Sequence, residues 1–448
     1  MTDWQLVRLG DVVDFLTGFP FKSANYSDAS SDPRLLRGDN IAQGFVRWDN
    51  AKRWPKDRVP DLAAYKLEIG DVVLAMDRPW IEAGLKYAAV GQQDVPSLLV
   101  QRVTRLRGTH KLSGRFLRYV IGSRAFTDYV LGVQTGTAVP HISGGQIKDY
   151  RFRLPTPSEQ EAIADALGSL DDKIELNRLT SETLEAMAQA IFRDWFVDFG
   201  PTRRKIEGAS DPLTIMGGLV TDPSRAQELV DLFPDRFGDE GLPEGWRMAP
   251  LSSVSLLMKR GLAPSYVDIG IPVVNQRCVR GRKVDWAIVR QHNVSKRHPK
   301  ERMLELGDVL VNSTGVGTLG RVATVRQLPG NATCDSHVTI CRPDPAVVSK
   351  VAYALFLEQA EDTISLLGHG STGQTELKPS VVGELQIALA NQRIHSAFEG
   401  LVGSLRLLSS SNDDQNRTLA ATRDLLLPQL LSGEIRLRDA EKLAEDAA

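Results

Sequence analysis

The chain is written twice. Residues Trp4 to Gln160 are echoed by Trp246 to Gln392, and in each copy a loop-rich segment leads into a long amphipathic stretch. The clearest pair is KLEIGDVVLAM from Lys66 against MLELGDVLVNS from Met303, which sets Gly70-Asp71 on Gly307-Asp308. A repeat of this size exceeds the roughly 20–50 residues of a solenoid unit, so it is a duplicated domain with its helix rather than a stacked array. The duplication restricts the fold to two similar heads, and a monomer built this way imitates a dimer.

At 448 residues the chain has room for about two to four domains, each able to bury a core. Its net charge of −2 argues against a wholly basic nucleic-acid coat, but a balanced total can hide separate basic and acidic surfaces. Cys278, Cys334 and Cys341 lack CxxC spacing, and His292 and His298 have no companion ligands, so no metal site is expected. The start MTDWQLVRLGD carries no apolar signal and no run approaches about 18 unbroken apolar residues. A reducing, cytoplasmic location without a membrane span is the expectation.

Residues 1–157 are rich in Gly and Pro, with short runs such as Asp71-Val72-Val73-Leu74-Ala75-Met76 and Tyr150-Arg151-Phe152-Arg153-Leu154 that predict strands. Pro155-Thr156-Pro157 then breaks the chain, and Ser158-Glu159-Gln160-Glu161 predicts a capped helix start at Ser158. The series Ile163, Leu167, Leu170, Ile174, Asn177, Ser181, Leu184, Ala188, Ile191, Trp195 alternates steps of four and three, a heptad seam. The first spacer, residues 158–200, closes at Phe199-Gly200-Pro201, where Gly suits a helix C-cap. A helix of that span is roughly 58 Å long, too long for one small domain, and needs a partner. The second copy offers one over residues 391–440, with the seam Ile394, Phe398, Leu401, Leu405, Leu408, Asn412, Gln415, Leu419. Asn177, Ser181, Asn412 and Gln415 either fix the register of the pair or face solvent.

Residues 201–244 form a connector, 245–390 the second head, and 441–448 an acidic, Ala-rich tail. The expected fold class is α+β: two similar mixed, strand-rich domains separated by a pair of long antiparallel coiled-coil helices, related by a pseudo-two-fold repeat. The alternative is that each helix only covers its own head.

Four stretches carry a resemblance: LPTPSEQEAIADALGSLDDKIELNRL from Leu154, AIFRDWFVDFGPTRRK from Ala190, LFPDRFGDEGLPEGWRMAPL from Leu232 and LLLPQLLSGEI from Leu425. With the GDV strands of both heads, they make the chain similar to the specificity subunit of type I restriction-modification systems. The resemblance implies two target-recognition domains, each reading half of a bipartite, asymmetric double-stranded DNA site, held apart by the helix pair. It also implies two modification subunits, which methylate adenine using S-adenosylmethionine, and restriction subunits, which use ATP and Mg. On this reading the chain itself is not catalytic and binds no cofactor. A non-DNA interaction scaffold with two heads on a coiled-coil rod is the alternative from another class.

One motif suggests an enzyme instead. Gly315-Val316-Gly317-Thr318-Leu319-Gly320 spells GxGxxG after a strand-like run, but a dinucleotide loop must open a helix. The alternating Arg321-Val322-Ala323-Thr324-Val325 predicts a second strand instead. No Asn-Pro-Pro-Tyr, Walker GxxxxGK[ST] or nuclease set is found in the chain.

Candidate DNA contacts follow from local charge and forked donors. In the first head they are Asn40, Asp77, Arg78, Lys86, Gln134, Thr135, Thr137 and His141. In the second they are Arg277, Arg280, Arg282, Lys283, Asn312, Ser313, Thr314, Thr318, Ser371, Thr372, Gln374 and Thr375. Apolar residues outside the seam are candidates for docking partner subunits: Leu176, Leu179, Met187, Phe192, Phe196, Leu407, Leu425 and Leu426.

Overall fold

The computed structural model describes residues 4–136, 138–238, 240–368 and 376–435. Thr137, Ser371, Thr372, Gln374, Thr375 and the segment 441–448 lie outside the described residues. Contacts divide the chain into two units, Met1–Leu176 with Gln415–Ala448, and Asn177–Asp414. Each unit holds one head and half of each long helix.

The repeated Gly-Asp has the same physical cause in both units. Gly70 and Gly307 turn the chain at φ +89° and +93°, a region open to Gly at no steric cost. The next residue is a buried carboxylate: Asp71 accepts from the Glu68 backbone N–H at 2.7 Å, Asp308 from that of Glu305 at 2.8 Å. A forked arginine on the strand paired alongside then compensates each buried charge. Arg107 grips Asp71 at 2.6 and 2.9 Å, and Arg342 grips Asp308 at 2.8 and 2.9 Å. The strands that follow, Val72–Ala75 and Val309–Asn312, are buried along their whole length.

In the first unit, Val72–Ala75 is the middle strand of a five-stranded sheet, ordered Asp14–Thr17, Val103–Arg107, Val72–Ala75, Tyr87–Ala89, Gln43–Gly44. All neighbours are antiparallel except the last pair. A separate antiparallel pair, Gln5–Arg8 with Arg151–Leu154, closes the head just before the long helix. Gln160 anchors the start of that helix to the head, donating to the carbonyls of Lys111 and Pro155 and accepting from the Ser113 N–H.

The second unit repeats the plan. Its four-stranded antiparallel sheet is ordered Ser255–Arg260, Val338–Pro343, Val309–Asn312, Val322–Thr324, and Arg247–Pro250 pairs with Gln386–Leu389 as the closing ribbon. Among the described residues the connector holds three short helices, Gly200–Ile206, Pro212–Ile215 and Pro223–Val230. Asp211 and Asp222 cap the last two, each followed by Pro at the position where a missing N–H costs nothing. Arg204 of the connector forks onto Asp194 at 2.8 Å twice.

The first long helix runs Pro157–Phe196 and the second Gln392–Ser432. The capping box lies two residues earlier than the sequence suggests: Thr156, not Ser158, exchanges bonds with Glu159, which places Pro157 in the first turn. At the other end Phe199, not Gly200, takes the left-handed conformation, at φ 54°. Gly200 instead opens the next helix, where a Cβ would meet Asp194 Oδ1 at 1.9 Å.

Within each unit the two helices are antiparallel. In the first, Asp171 bonds Arg423 at 3.0 Å and the Ile174 carbonyl accepts from Asn416 at 3.2 Å. In the second, Ser181 bonds the Ser409 carbonyl at 3.4 Å, Glu185 meets Arg406 at 3.5 Å, and the rings of Phe192 and Phe398 lie 6.2 Å apart. The first helix buries or half-buries every seam residue the periodicity predicts. On the second, Phe398, Leu405 and Leu419 face inward, but alternate positions are shifted by one. Val402 and Ser409 are buried while Leu408 is 51% exposed.

Three docking candidates are corrected by burial. Phe192 (2% exposed), Phe196 (4%) and Leu426 (1%) belong to cores, the first two among Trp195, Phe398 and Trp246, the last against Leu167 and Leu170. Leu176, Leu179, Met187, Leu407 and Leu425 are exposed.

His395 is buried on the ring of Phe196, centroids 5.3 Å apart, and neither ring nitrogen has a hydrogen-bond partner among the described residues. Burial pushes its pKa down from 6.5 to about 4, so the folded second unit holds it neutral. The unfolded chain takes up a proton below pH 6.5 that the folded chain refuses until about pH 4. The stability held above pH 6.5 is therefore lost as pH falls through that window, by about 3 kcal/mol in all. Urea midpoints measured between pH 7 and pH 4 should fall less steeply in His395→Leu than in the parent chain. Equal slopes would refute the assignment.

Candidate nucleic-acid interface

Both heads build the same junction where the Gly-Asp strand ends. In the first unit the Met76 N–H donates to the Arg102 carbonyl and the Met76 carbonyl accepts from the Ile142 N–H, each at 2.9 Å. In the second, the Ser313 N–H donates to the His337 carbonyl at 2.8 Å and the Ser313 carbonyl accepts from the Leu377 N–H at 2.9 Å. Three segments therefore meet at each junction: the loop after the buried strand, the turn that leads into the strand beside it, and the stretch that returns towards the closing ribbon. Backbone bonding fixes the frame. Side chains at its next positions are free to differ.

They do differ. In the first unit Asp77 pairs across to His141, whose Nδ1 lies 2.6 Å from Asp77 Oδ1, and the other carboxylate oxygen faces Arg102 Nε at 3.7 Å. In the second, Thr314 pairs across to Glu376 and its hydroxyl shares a 2.8 Å hydrogen bond with His337 Nδ1. Arg260 binds the Glu376 carboxylate. An open cleft of about 910 Å³ lies here, lined by Thr314, Gly315, Gly317, His337 and Glu376 among others. Its loop contains the GxGxxG run, which leads into the strand Val322–Thr324 as the alternation predicts. Gly320, at φ +80°, admits the Ser365 backbone where a Cβ would come within 2.6 Å of it.

Several sequence candidates gather here. Asp77, Arg78, Thr135 and His141 come together in the first unit, where the Arg78 N–H donates to the Pro140 carbonyl and Thr135 exchanges backbone bonds with His141. Arg78 is held at φ 45°, strained for a residue with a Cβ. Lys86 is half-buried nearby, and burial lowers its pKa despite Asp39 and Asp77. Gln134 ends the helix Arg124–Val133 with its Oε1 buried. In the second unit Thr314 and Thr318 shape the cleft's loop, and Gln276, the neighbour of exposed Arg277, borders Gly315.

Four candidates serve the frame instead. Asn40 is 8% exposed, binding the Arg47 carbonyl and the Arg37 N–H. Asn312, fully buried, donates to the carbonyls of Gln276 and Thr318, and Ser313, also fully buried, bonds Thr339. Lys283 is bound to Asp413 of the second long helix at 2.5 Å. Arg280 remains exposed and Arg282, at φ 63°, is half-buried with its carbonyl accepting from Thr324. Sequence reasoning missed Arg102, His337, Arg260 and Glu376. The signal was their matched position one residue before the strands Val103–Arg107 and Val338–Pro343, or beside them, when the copies are aligned.

Residues 1–186 match the domain family described as type I restriction modification DNA specificity domain. The HindI specificity subunit of Haemophilus influenzae is 26% identical over 97% of this chain and 100% of that relative. The EcoAI specificity subunit of Escherichia coli is 36% identical, over 37% of this chain and only 28% of the relative. The crystal structure of the type I S subunit from M. genitalium has the same fold, at 13% identity, a TM-score of 0.55 and 96% coverage of each chain. With its amino-terminal portion matching that domain family and a relative aligned from end to end, the chain is similar to the type I restriction-modification specificity subunits.

Proposed function

We infer that the chain is the DNA-recognition component of a type I restriction-modification complex, each head reading one half of a bipartite, asymmetric site. The observation that carries this reading is the shared junction with unshared side chains: Asp77, Arg102 and His141 in one unit, Thr314, His337 and Glu376 in the other. A common frame with different donors and acceptors is what two readers of different base sequences need. The long helices, which pass from one unit into the other, would set the gap between half-sites. Methyl transfer, from S-adenosylmethionine to adenine, and ATP-dependent cleavage, with Mg, would belong to two modification subunits and to restriction subunits. The exposed Leu176, Leu179, Met187, Leu407 and Leu425 are apolar positions available to dock them. Such a complex would act in the cytoplasm.

Exchanging residues 1–150 for the corresponding head of another specificity subunit should change one half of the methylated motif and leave the other intact. The check is a genome-wide map of methylated adenines with the modification subunits present. Simultaneous change of both halves contradicts two independent readers, and a map with no split motif contradicts DNA recognition itself.

A further inference from the structure

We propose that Arg102 reads a guanine in the half-site bound by the first unit, with Asp77 and His141 as the residues that position it. The inference deepens the DNA-recognition reading and rests on it. Arg102 sits in the turn that links the strands Ser97–Leu99 and Val103–Arg107 of two different sheets, and its side chain is 63% exposed, the most accessible of the three. Its backbone is left-handed, at φ 66°, which a residue with a Cβ adopts only where its surroundings compel it. Those surroundings are the Met76 N–H bonded to its carbonyl and the Gln101 N–H bonded to the Phe19 carbonyl. The turn is held from both sides and projects one long side chain.

The carboxylate beside it selects among nucleic-acid targets. Asp77 faces Nε of Arg102, and its other oxygen is fixed by His141, so the guanidinium is oriented while its two terminal nitrogens have no partner among the described residues. That remaining fork matches the O6 and N7 acceptors on the major-groove edge of guanine. A phosphate fits the same place poorly, because its negative charge would approach the Asp77 carboxylate. Guanine brings neutral acceptors and meets no such repulsion. Adenine offers only one acceptor there, with a donor in place of the second, and leaves half of the fork unbonded. Arg78 and Lys86, which border Asp77, supply the positive charge for the backbone on either side. The second unit has His337 where the first has Arg102, so the requirement belongs to one half-site only.

The test uses the full chain assembled with its modification subunits, and a library of duplexes randomised over both half-sites. The parent complex should demand guanine at one position of the first unit's half-site. Arg102→Gln should lose that preference by about 10- to 100-fold while the other half-site keeps its sequence. Arg102→Lys should retain part of it, since a lysine reaches the same acceptors without the fork, and Asp77→Asn should weaken discrimination at that same position. Should Arg102→Gln fail to fold by thermal unfolding, the Lys and Asn variants decide alone. Uniform weakening on every sequence, with a smaller salt dependence, would mark a phosphate contact and overturn the proposal. So would an unchanged motif in a complex whose parent selects a split site. A parent complex that selects no split site overturns the recognition reading instead.

Discussion

Replacing Glu358 with alanine is expected to destabilise the second unit by about 3–5 kcal/mol, the usual consequence of stranding buried charge. Glu358 is fully buried on the helix Lys350–Gln359 and accepts from Thr324 Oγ1 at 2.6 Å and from Arg406 Nη2 at 2.5 Å. Arg326 approaches the same oxygen at 3.6 Å and also forks onto Glu185 of the first long helix. Two arginines and two glutamates thus compensate one another where water is excluded, and the set joins the head to both long helices. Loss of one glutamate leaves two cations facing one anion at low exposure. Glu358→Gln keeps the bond to Thr324 and should cost less. The double change Glu358→Leu with Arg406→Met should recover most of the loss, because a buried pair replaced by apolar groups of similar size is often neutral. Chemical denaturation of the single and double variants is the check. An additive result, with the double variant as poor as the sum of its singles, would show that these charges do not act together.

Trp195→Ala is expected to be comparably severe, about 3–5 kcal/mol for a large aromatic removed from a closed core. Trp195 is fully buried near the end of the first long helix. Its ring meets Phe233 of the connector edge-on at 4.9 Å and Phe398 of the second long helix at 5.5 Å. One side chain therefore closes three segments distant in sequence. Its Nε1 has no hydrogen-bond partner among the described residues, so Trp195→Phe gives up no bond and should lose much less. Proteolysis within 201–244, with denaturation in parallel, distinguishes the outcomes. If Trp195→Ala leaves the connector as resistant as in the parent, the ring does not hold it in place.

These two sites mark where the sequence was readable and where it was not. The first-helix seam from Ile163 to Trp195 follows from periodicity alone, since a helix offers one face every three or four residues. The Gly70-Asp71 and Gly307-Asp308 turns stand out because the same demand for a left-handed Gly and a capping carboxylate is written twice. The loops at Asp77 and Thr314, proposed above as readers, were visible as differences between otherwise matching copies. By contrast, Leu408 outranks Ser409 as a seam residue on apolarity, yet Ser409 is buried and Leu408 is not. Asn312 has the right side chain to read adenine, but its amide is spent on the carbonyls of Gln276 and Thr318. Phe192 and Phe196 lie off the first heptad face and look available, until Trp246 and Phe398 cover them.

By itself the sequence determined what repeats locally: two heads, their buried Gly-Asp strands, two long helices and the places where the copies diverge. Such features rest on turn chemistry and periodicity, which act over a few residues. Tertiary structure decided which polar side chains remain for a partner and which apolar ones are already covered. Arg102 joins Asp77, and Glu358 joins Arg406, across segments that no local pattern connects. Burial and pairing at such distances depend on what the fold brings alongside, and a single chain position carries no record of it.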